Sequence, residues 1–443
     1  MLQPDFADRA LRSVIPFGPS DLAWLIELLE VPSVSPLEGG DPAQTRRAQQ
    51  IVRAGAEELG FEVVECSSPS VDLFLETDEV PQIVRDAAEA DPHGFLRDQP
   101  SLVLRMGREQ PEQRRLIVNF HVDTVGPHLE VTFDGRVLHG RGAVDDKGPG
   151  VAAAAGIASA FAEHPWLADE IEVRLTSVPG EEGGAMGVYG TKHLVDRGHV
   201  GRLMVFAEPS GNRAMDHCTS AMTFQIEVAG EDSTDDHPEA AHNATIALGF
   251  LAEFLARRFG PVARGLDAKL CIAGLETGTA HNRAYGSGRL LLNIAYAQED
   301  SAQALQQDLL DLVDAAGAEF ARTHRENPLA LRLVDEWGEV VHGSWLKRDL
   351  PTLANRDAEM ETVFRLAGLP RHDGISDGSA FTCDAIWAGA PGRYVAVCGP
   401  GRLSTNRAHT PEEFVEIADL RDYAQRIKEL VVAFGNRQRE VAA

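Results

Sequence analysis

The sequence offers little that would cross-link the chain or hold it in a membrane. Its 443 residues include five cysteines, which are scattered and never spaced as CxxC, so neither a disulfide framework nor a thiolate zinc site is expected. No segment approaches the roughly 18 consecutive apolar residues of a transmembrane helix. Residues 1–21 mix acidic with basic side chains and have no apolar core of the signal-peptide type. We therefore predict a cytoplasmic protein.

Basic residues are also scarce. Lysine and arginine together number 41, against 68 aspartates and glutamates, which gives a formal net charge of −27 at pH 7. A surface of that sign repels the phosphates of nucleic acids and anionic lipid headgroups, so the sequence argues against nucleic-acid and membrane partners. The length predicts two or three domains, at about 150 residues each.

Strand and helix patterns alternate in the first half of the chain. The apolar runs RRLIVNF, EIEVRLTSV and RLMVFAE read as strands, and the helical patterns VAAAAGIASAFAEH and TKHLVDRG separate them. Earlier, an apolar spacing near 3.6 predicts helices at about 20–29 and 44–59. The acidic segment 67–99 is interpreted as an insertion or loop excursion rather than core. This alternation indicates an α/β fold, with a mixed, mostly parallel sheet flanked by helices.

A change in the pattern of predicted strands and helices near Met215 indicates a second domain. Two strand patterns, MTFQIEVAG and LLLNIAYA, alternate with two helical patterns, NATIALGFLAEFLARRFG and DSAQALQQDLLDLVDAAGAEFARTHRE. We predict an inserted α+β lid domain at 215–326, within a catalytic domain formed by 1–214 and 327–443. The second part of the catalytic domain ends in the strand YVAVC and a helix that begins near Pro411.

Ligand-type residues follow the predicted strands where each strand ends. They are His121 and Asp123 after LIVNF, Glu181 and Glu182 after EVRLTSV, Glu208 after LMVFA, and Gly399 and His409 after YVAVC. The glycine-rich loop GRGAVDDKGPG adds Asp145 and Asp146. Because the carboxyl ends of parallel strands open into one crevice, we expect these side chains to be neighbours.

These residue types point to a metal site. Imidazole and carboxylate are the ligands that Zn²⁺ accepts where thiolates are absent. The candidates outnumber the three protein ligands of a mononuclear catalytic site, so we predict two Zn²⁺ ions, about 3.5–4 Å apart, that share a carboxylate. Co²⁺ or Mn²⁺ would fit the same ligands. An adjacent carboxylate outside the metal shell would take the proton of the activated water and pass it to a leaving nitrogen.

With these motifs in this order, the chain resembles a known family. It is similar to the co-catalytic zinc peptidases and deacylases that include aminoacylase, acetylornithine deacetylase, succinyl-diaminopimelate desuccinylase, carnosinase and bacterial glutamate carboxypeptidase. The resemblance runs from about Leu22 to Val432. It covers the His-x-Asp, GRG-x-x-Asp, Glu-Glu and Glu-Pro motifs and the late Ala-His-Thr.

The resemblance implies a role for each matching position. The ligands of the two zinc ions would be His121, Asp145 and Glu208 for one, and Asp145, Glu182 and His409 for the other. Asp123 would orient His121, and Glu181 would be the general base and then the general acid. In Asp145-Asp146-Lys147, the bond after the bridging aspartate would be cis. The inserted domain would be a lid, and a homodimer through that lid is implied.

The departures from the family pattern all concern substrate contacts. The lid motif Pro-x-x-Gly-x-Asn-Ala corresponds here to 238–244, and the histidine expected four residues before its proline is Thr234. His237 and His242 are the candidate replacements. The arginine that grips a substrate carboxylate is replaced by Ala295, and a threonine by Ile375. The substrate-binding candidates that remain are Asn282, His237, Ser376 and Gly399.

The sequence therefore predicts a dinuclear zinc hydrolase. It would cleave an amide bond in an N-acyl amino acid, a small peptide or an amide-containing metabolite, with metal-activated hydroxide and Glu181 as the proton shuttle. Two alternatives stay open: a metal-retaining relative that performs a condensation or acyl transfer in biosynthesis, and a catalytically degenerate scaffold. The presence of Glu181, which has no structural purpose without catalysis, argues against the scaffold.

Overall fold

The computed structural model describes residues 16–72 and 80–442. Within these ranges, no helix combines the length and the apolar character needed to cross a membrane. The chain divides into two compact units, one of which is Thr219–Thr352, while the other is formed by the chain on either side of it. The opening residues 1–15, on which the signal-peptide prediction partly rests, lie outside the described ranges.

Helices and strands follow each other along both units. The α-helices are, in chain order, α1 (Pro19–Leu29), α2 (Pro42–Leu59), α3 (Gln82–Ala90), α4 (Lys147–Glu163), α5 (Leu167–Glu170), α6 (Thr191–Asp196), α7 (Ala244–Arg258), α8 (Gly260–Gly265), α9 (Glu299–His324), α10 (Leu331–Val340), α11 (Ala358–Leu366) and α12 (Ile417–Ala442). The longer strands are β1 (Glu62–Ser67), β2 (Ser101–Met106), β3 (Arg115–His121), β6 (Glu172–Val178), β7 (Leu203–Pro209), β10 (Ser220–Ala229), β12 (Lys269–Glu276), β14 (Ser287–Tyr296), β15 (Val341–Lys347) and β18 (Tyr394–Gly399). The short ones are β4 (Thr132–Phe133), β5 (Val137–His139), β8 (Ala214–Met215), β9 (His217–Cys218), β11 (Ser233–Thr234), β13 (Arg283–Ala284), β16 (Leu353–Ala354), β17 (Arg371–His372) and β19 (Phe414–Glu416).

An eight-stranded sheet forms the centre of the first unit. Its order is β1-β2-β6-β3-β7-β18-β8-β17. Strand β3 pairs in parallel with β6 and β7, and β7 pairs in parallel with β18, whereas β1 and β2 add an antiparallel edge. Every residue of the four parallel strands is buried, as expected for strands covered on both faces. The mixed, mostly parallel sheet flanked by helices is therefore confirmed.

Small residues let helix α4 pack closely against this sheet and against helix α12. Helix α4 is rich in alanine and glycine, and its residues from Lys147 to Ala160 are buried. A Cβ on Gly150 would lie 2.2 Å from the Phe120 ring, and one on Gly156 would lie 2.4 Å from the Ala424 carbonyl of α12. Since those distances exclude a side chain, the glycines fix how closely α4 approaches its neighbours. This close packing sets the position of the loop that precedes α4.

The second unit is an antiparallel sheet with helices. Its strand order is β12-β14-β10-β15, and one hydrophobic core joins Phe224 and Leu292 of the sheet with Leu251 of α7 and Leu309 of α9. The unit extends beyond residue 326, where the sequence placed the boundary, because β15 pairs with β10 along most of its length. It begins at 219 rather than 215, since β8 and β9 pair with strands of the first unit.

Two local predictions differ from the structure. The segment 67–99 contains α3, and its Val84 and Phe95 belong to a small buried cluster with Tyr189, so this part of the chain contributes core. The amphipathic spacing over nine residues was too short to recognise in a segment of acidic composition. The final helix begins at Ile417 rather than near Pro411, because β19 intervenes and pairs with β5.

Candidate metal centre

The end of β3 supplies the first imidazole of the site. His121 is 2% exposed, and its Nδ1 donates a hydrogen bond to the backbone carbonyl of Asp123 at 2.8 Å. Because a carbonyl can only accept, this contact leaves Nε2 of His121 facing the carboxylates. The Asp123 carboxylate lies 3.8 Å from His121 Nδ1 and accepts hydrogen bonds from the amides of Glu181 and Glu182. Asp123 thus positions two segments of the site at once.

The loop before α4 places Asp145 between two imidazoles. Its Oδ1 lies 3.0 Å from His121 Nε2, and its Oδ2 lies 3.1 Å from His409 Nε2. Buried Glu413 accepts hydrogen bonds from the amides of Gly142 and Val144 in the same loop. The peptide bond between Asp145 and Asp146 is cis. Asp145 is therefore the carboxylate whose two oxygens face two different imidazoles.

The loop after β6 carries Glu181 and Glu182. It turns through Gly180, whose φ is +77° and where a Cβ would lie 2.4 Å from the Tyr189 ring, so only glycine fits. Oε1 of Glu182 lies 3.1 Å from His409 Nε2. Glu181 is half-buried, and within the described ranges its carboxylate has no hydrogen-bond or ion-pair partner. One of the two glutamates is thus held against an imidazole, and the other is free.

The last two members come from β7 and from the loop after β18. Oε1 of Glu208, which is 4% exposed, lies 3.6 Å from His121 Nε2. His409 has a φ of +64°, in the left-handed region that non-glycine residues rarely adopt. Such a conformation costs of order 1–3 kcal/mol and is typical of functional sites. The ligand atoms of His121, Asp145 and Glu182 lie within 4.8 Å of one another, as do those of His121, Glu181 and Glu208.

Negative charge exceeds positive charge in this cluster. Its four carboxylates are Asp145, Glu181, Glu182 and Glu208, and no lysine or arginine of the described chain forms an ion pair with any of them. Burial raises the pKa of Glu181 and Glu208 well above the usual range, and neighbouring carboxylates add to the rise. Asp145 and Glu182 raise the pKa of His409 to about 11. Without another cation, the imidazoles would take up protons to offset the carboxylates.

This donor set fits divalent metal ions. Oxygen and imidazole nitrogen donors, with no thiolate among them, are suited to Zn²⁺, Co²⁺ or Mn²⁺. A cation would remove the charge excess, and the oxygens of Asp145 already point in the two directions that a bridging carboxylate requires. The cluster thus has the composition and the charge of a metal centre.

A support for the Glu181–Glu182 loop was not recognised from the sequence. The indole of Trp387 donates to the carbonyl of Met186 at 2.6 Å, and the hydroxyl of Thr191 donates to the buried carboxylate of Asp384. These partners come from a segment almost 200 residues away along the chain. Since the segment has neither a motif nor a clear periodicity, nothing in the sequence connects it with the loop.

The candidate substrate-binding residues differ from the metal-site residues in their exposure and in their hydrogen-bond partners. His237 is exposed, with 74% of its side chain accessible, and Asn282 is also exposed; both belong to the second unit. His242 is buried and engaged on both ring nitrogens, by the amide of Glu231 and by the carboxylate of Glu336. That arrangement is a structural one. His237, the other candidate replacement for the absent lid histidine, has its Nδ1 3.8 Å from Oε1 of Glu239.

The other two substrate candidates lie in the first unit. Ser376 is exposed, and its hydroxyl donates to Asp373 at 2.7 Å. Gly399 ends β18 beside β7, where a Cβ would lie 2.0 Å from the carbonyl of Ala207 and 2.6 Å from that of Glu208. A side chain at 399 would therefore displace the strand end that carries Glu208. Gly399 thus lies against the backbone of the strand end that carries Glu208, while the hydroxyl of Ser376 is engaged with Asp373.

Comparison with known proteins finds a matching family and several relatives. A sequence model of peptidase family M20/M25/M40 matches residues 117–433. A succinyl-diaminopimelate desuccinylase of Xanthomonas euvesicatoria is 24% identical over 412 residues, which cover 89% of this chain and 93% of that protein. A putative [LysW]-lysine/[LysW]-ornithine hydrolase of Aeropyrum pernix is 30% identical over 187 residues, 42% of this chain and about half (48%) of that protein.

A solved structure shares the fold. The dipeptidase Dug1p of Saccharomyces cerevisiae superposes with a TM-score of 0.67 at 11% sequence identity, over 94% of this chain and 96% of that one. At that identity the match concerns the fold alone. The match extends over nearly the whole of both chains.

Proposed function

The chain belongs to peptidase family M20/M25/M40, whose members are metal-dependent amidohydrolases and peptidases, and on that premise we propose that it is a dinuclear zinc hydrolase. Its substrate is an N-acyl amino acid, a small peptide or an amide-containing metabolite. The observation that carries the proposal is the cluster at the strand ends, in which Asp145 lies between His121 and His409 while Glu181 stays free.

Each residue of the cluster has a defined task. In this proposal His121, Asp145 and Glu208 would hold one ion, and Asp145, Glu182 and His409 would hold the other. When bound, the two ions supply the polarisation of the substrate carbonyl and the activation of water. The carbonyl of Asp123 keeps His121 in the tautomer whose Nε2 can bind a metal. The amide hydrogen bonds to the Asp123 carboxylate keep the Glu181–Glu182 loop at the site.

Glu181 is the proton carrier. Its carboxylate accepts a proton from the attacking water and donates it to the nitrogen that leaves when the amide bond breaks. Two features support this role: among the described residues the carboxylate has no partner that competes for the proton, and it lies among the ligand atoms of His121 and Glu208. Burial and the adjacent Glu182 raise the pKa of Glu181, which favours holding the proton between the two steps.

The test compares Glu181→Gln with wild type after both are loaded with zinc. We expect two zinc ions per chain in each protein, hydrolysis that a chelator abolishes in wild type, and a kcat about 10²–10⁴-fold lower in the variant. Glu58→Gln is the matched control, because Glu58 is an exposed glutamate on α2. Metal binding without turnover on a panel of N-acyl amino acids and dipeptides would contradict the proposal. Product formed without consumption of water would instead favour the condensation alternative.

We also propose a cytoplasmic location and a homodimer formed through the second unit. The five cysteines are free, and the sulfurs of Cys218 and Cys383 stay unbonded at 3.6 Å, which suits a reducing compartment. Strands β12 and β15 each leave one edge without a partner strand among the described residues. Light scattering should give twice the monomer mass of 48.0 kDa.

A further inference from the structure

A buried carboxylate outside the ligand cluster lies beside the Glu181–Glu182 loop. Asp384 begins a short 3-10 helix, Asp384–Trp387, and is 2% exposed. Its Oδ2 accepts a hydrogen bond from the hydroxyl of Thr191. In the part of the chain that the structure describes, no lysine or arginine forms an ion pair with it. The charge of Asp384 is therefore buried without a basic partner.

A line of hydrogen bonds connects Asp384 with the strand that carries His121. The hydroxyl of Thr191, the first residue of α6, accepts a hydrogen bond from Nδ2 of Asn119 at 2.9 Å and donates its own proton to Asp384. Asn119 lies on β3, two residues before His121, and side chains two residues apart on a strand point to the same face of the sheet. Both Asn119 and Thr191 are buried. These contacts fix the position of Asp384 relative to β3.

Asp384 also packs against the Glu181–Glu182 loop itself. A Cβ on Gly187, whose φ is +68°, would lie 2.4 Å from Cβ of Asp384. The amide of Gly187 donates to the carbonyl of Gly180 at 2.6 Å, and this bond closes the loop around the two glutamates. Asp384 thus touches the loop at the residue where it closes, one layer outside the metal ligands.

The charge of Asp384 acts on the cluster at the strand ends. Burial raises the pKa of Asp384 to about 6, against the lowering effects of the Thr191 hydrogen bond and of His121. Burial is also the largest cause of the raised pKa of Glu181, and the charge of Asp384 adds to that rise. Such mutual effects are expected of charged groups that share a site from which water is largely excluded.

The stability of the fold does not account for this charge. An asparagine has nearly the same size and would offer Thr191 the same acceptor, without the cost of burying an ion. A buried charge that lacks a positive partner destabilises the fold. The cost is offset once cations bind nearby, because unlike charges attract strongly where water is excluded. An ionised group at this position therefore favours the metal-bound form over the metal-free form.

We propose that Asp384 supports the metal centre from outside its ligand shell, and that its ionised carboxylate strengthens the binding of the zinc ions. The inference rests on the proposed function, because it concerns the same ions. Asp384 is a positioning residue and not a catalytic one, since it contacts the loop and Thr191 rather than the substrate. Groups that stand behind metal ligands typically change metal affinity by about 10–100-fold.

The test measures the zinc affinity and the metal-free stability of Asp384→Asn. Zinc is titrated into the full chain at about pH 7.5 against a competing chelator of known affinity, and urea unfolding is followed in excess chelator. We expect a zinc affinity about tenfold below that of wild type. The urea midpoint should stay the same or rise, because an uncompensated buried charge is removed. A residue that only maintained the fold would lower the urea midpoint.

Thr191→Val separates the charge from the hydrogen bond. It removes the hydroxyl and leaves the carboxylate of Asp384 in place. Its zinc affinity should stay within about threefold of wild type, while its urea midpoint falls because a buried acceptor loses its donor. Asp216→Asn is the matched control, since Asp216 is fully buried but is paired with Arg371 at 2.5 Å. It should lower the urea midpoint and keep the zinc affinity.

Three results would overturn the inference: Asp384→Asn binds zinc as tightly as wild type, it is less stable than wild type in chelator, or Thr191→Val or Asp216→Asn weakens zinc binding to the same extent. None of them would change amide hydrolysis by wild type, so the proposed function would stand. Conversely, weaker zinc binding by Asp384→Asn in a protein without amide hydrolysis would support the inference and refute the proposed function. A wild type that binds no zinc would refute both.

Discussion

Strands β3 and β6 carry a cluster of ionisable residues at each end, and the two clusters differ in charge balance. At the amino end, buried Glu172 is bonded to Arg115 at 2.9 Å and to Arg174 at 2.6 Å. Arg174 continues to His199, which contacts Glu65; we call these five residues the Glu172 network. At the carboxyl end, four carboxylates face two imidazoles, and no arginine or lysine in residues 16–72 and 80–442 pairs with them.

The pKa values of the glutamates move in opposite directions at the two ends, whereas Asp145, which lies between two imidazoles, has a lowered pKa like the glutamates of the amino end. Burial alone would raise both values. Hydrogen bonds from the Gln110 amide, Arg115 and Arg174 nevertheless lower the pKa of Glu172. Hydrogen bonds from Arg197, Ser67 and His199 bring the pKa of Glu65 to about 2. Burial raises the pKa of Glu181 and Glu208 without such compensation. A buried cluster in which positive and negative charges balance stabilises the fold. A buried cluster with excess negative charge requires a bound cation. Charge balance, more than burial, distinguishes the structural cluster from the functional one.

The largest effect is expected from Glu208→Gln in the unbalanced cluster. Removing this carboxylate should reduce bound zinc from two ions per chain to one or none and lower kcat/KM at least about a thousandfold, since metal polarisation contributes several kcal/mol to catalysis. In chelator, however, the free energy of unfolding should stay the same or rise, because a buried carboxylate in an excess of negative charge is lost.

Elemental analysis measures the zinc content. Urea unfolding in chelator measures the free energy of unfolding without metal. Wild type treated in the same way is the reference. A variant that loses more than about 1 kcal/mol of metal-free stability would show that Glu208 also supports the fold, and the contrast between the two ends would fail.

Glu172→Gln is expected to have the opposite effect: it should lower the stability of the fold and leave the zinc content and kcat nearly unchanged. The substitution leaves Arg115 and Arg174 buried without a full counter-charge, and breaking such a pair typically costs about 3 kcal/mol or more. Zinc content should remain at two ions per chain, and kcat should change by less than about threefold. Urea unfolding and elemental analysis of the folded variant check this result. Loss of metal at unchanged stability would contradict it.

The sequence could predict the carboxyl-end cluster because each member follows a recognisable strand. The strands before His121, Glu181 and Glu208 are buried on both faces, and their apolar residues indicate where the strands lie. The order of the parallel strands then brings distant residues together. His409 is the least direct of these predictions, because nine residues separate it from the end of β18.

The amino-end network and parts of both units were not predictable in this way. Glu65 lies on β1, whose residues alternate between exposed and half-buried, and a salt bridge leaves no periodic pattern in a sequence. Strand β15 has no buried residue and is held by backbone pairing with β10, so no apolar run marks it. Such elements depend on partners that only the tertiary structure supplies.

The smallest effect concerns Glu65, at the solvent-facing end of the Glu172 network. Its carboxylate accepts hydrogen bonds from Arg197 and Ser67 and contacts His199. Since its folded pKa of about 2 lies below the value of about 4.3 in an unfolded chain, ionised Glu65 stabilises the fold above that higher value. The contribution is lost as the pH falls from about 4.5 towards 2, because the unfolded state binds the proton first.

We therefore expect Glu65→Gln to lower the free energy of unfolding by about 1.5 kcal/mol at pH 7, with the deficit shrinking to about half or less by pH 3. Urea unfolding at several pH values in chelator measures it, and Glu58→Gln should show no such trend. A deficit that stays constant with pH would mean that Glu65 acts through its shape rather than its charge. In that case the amino-end cluster would not be stabilised by charge balance, and the difference between the two ends of the strands would need another explanation.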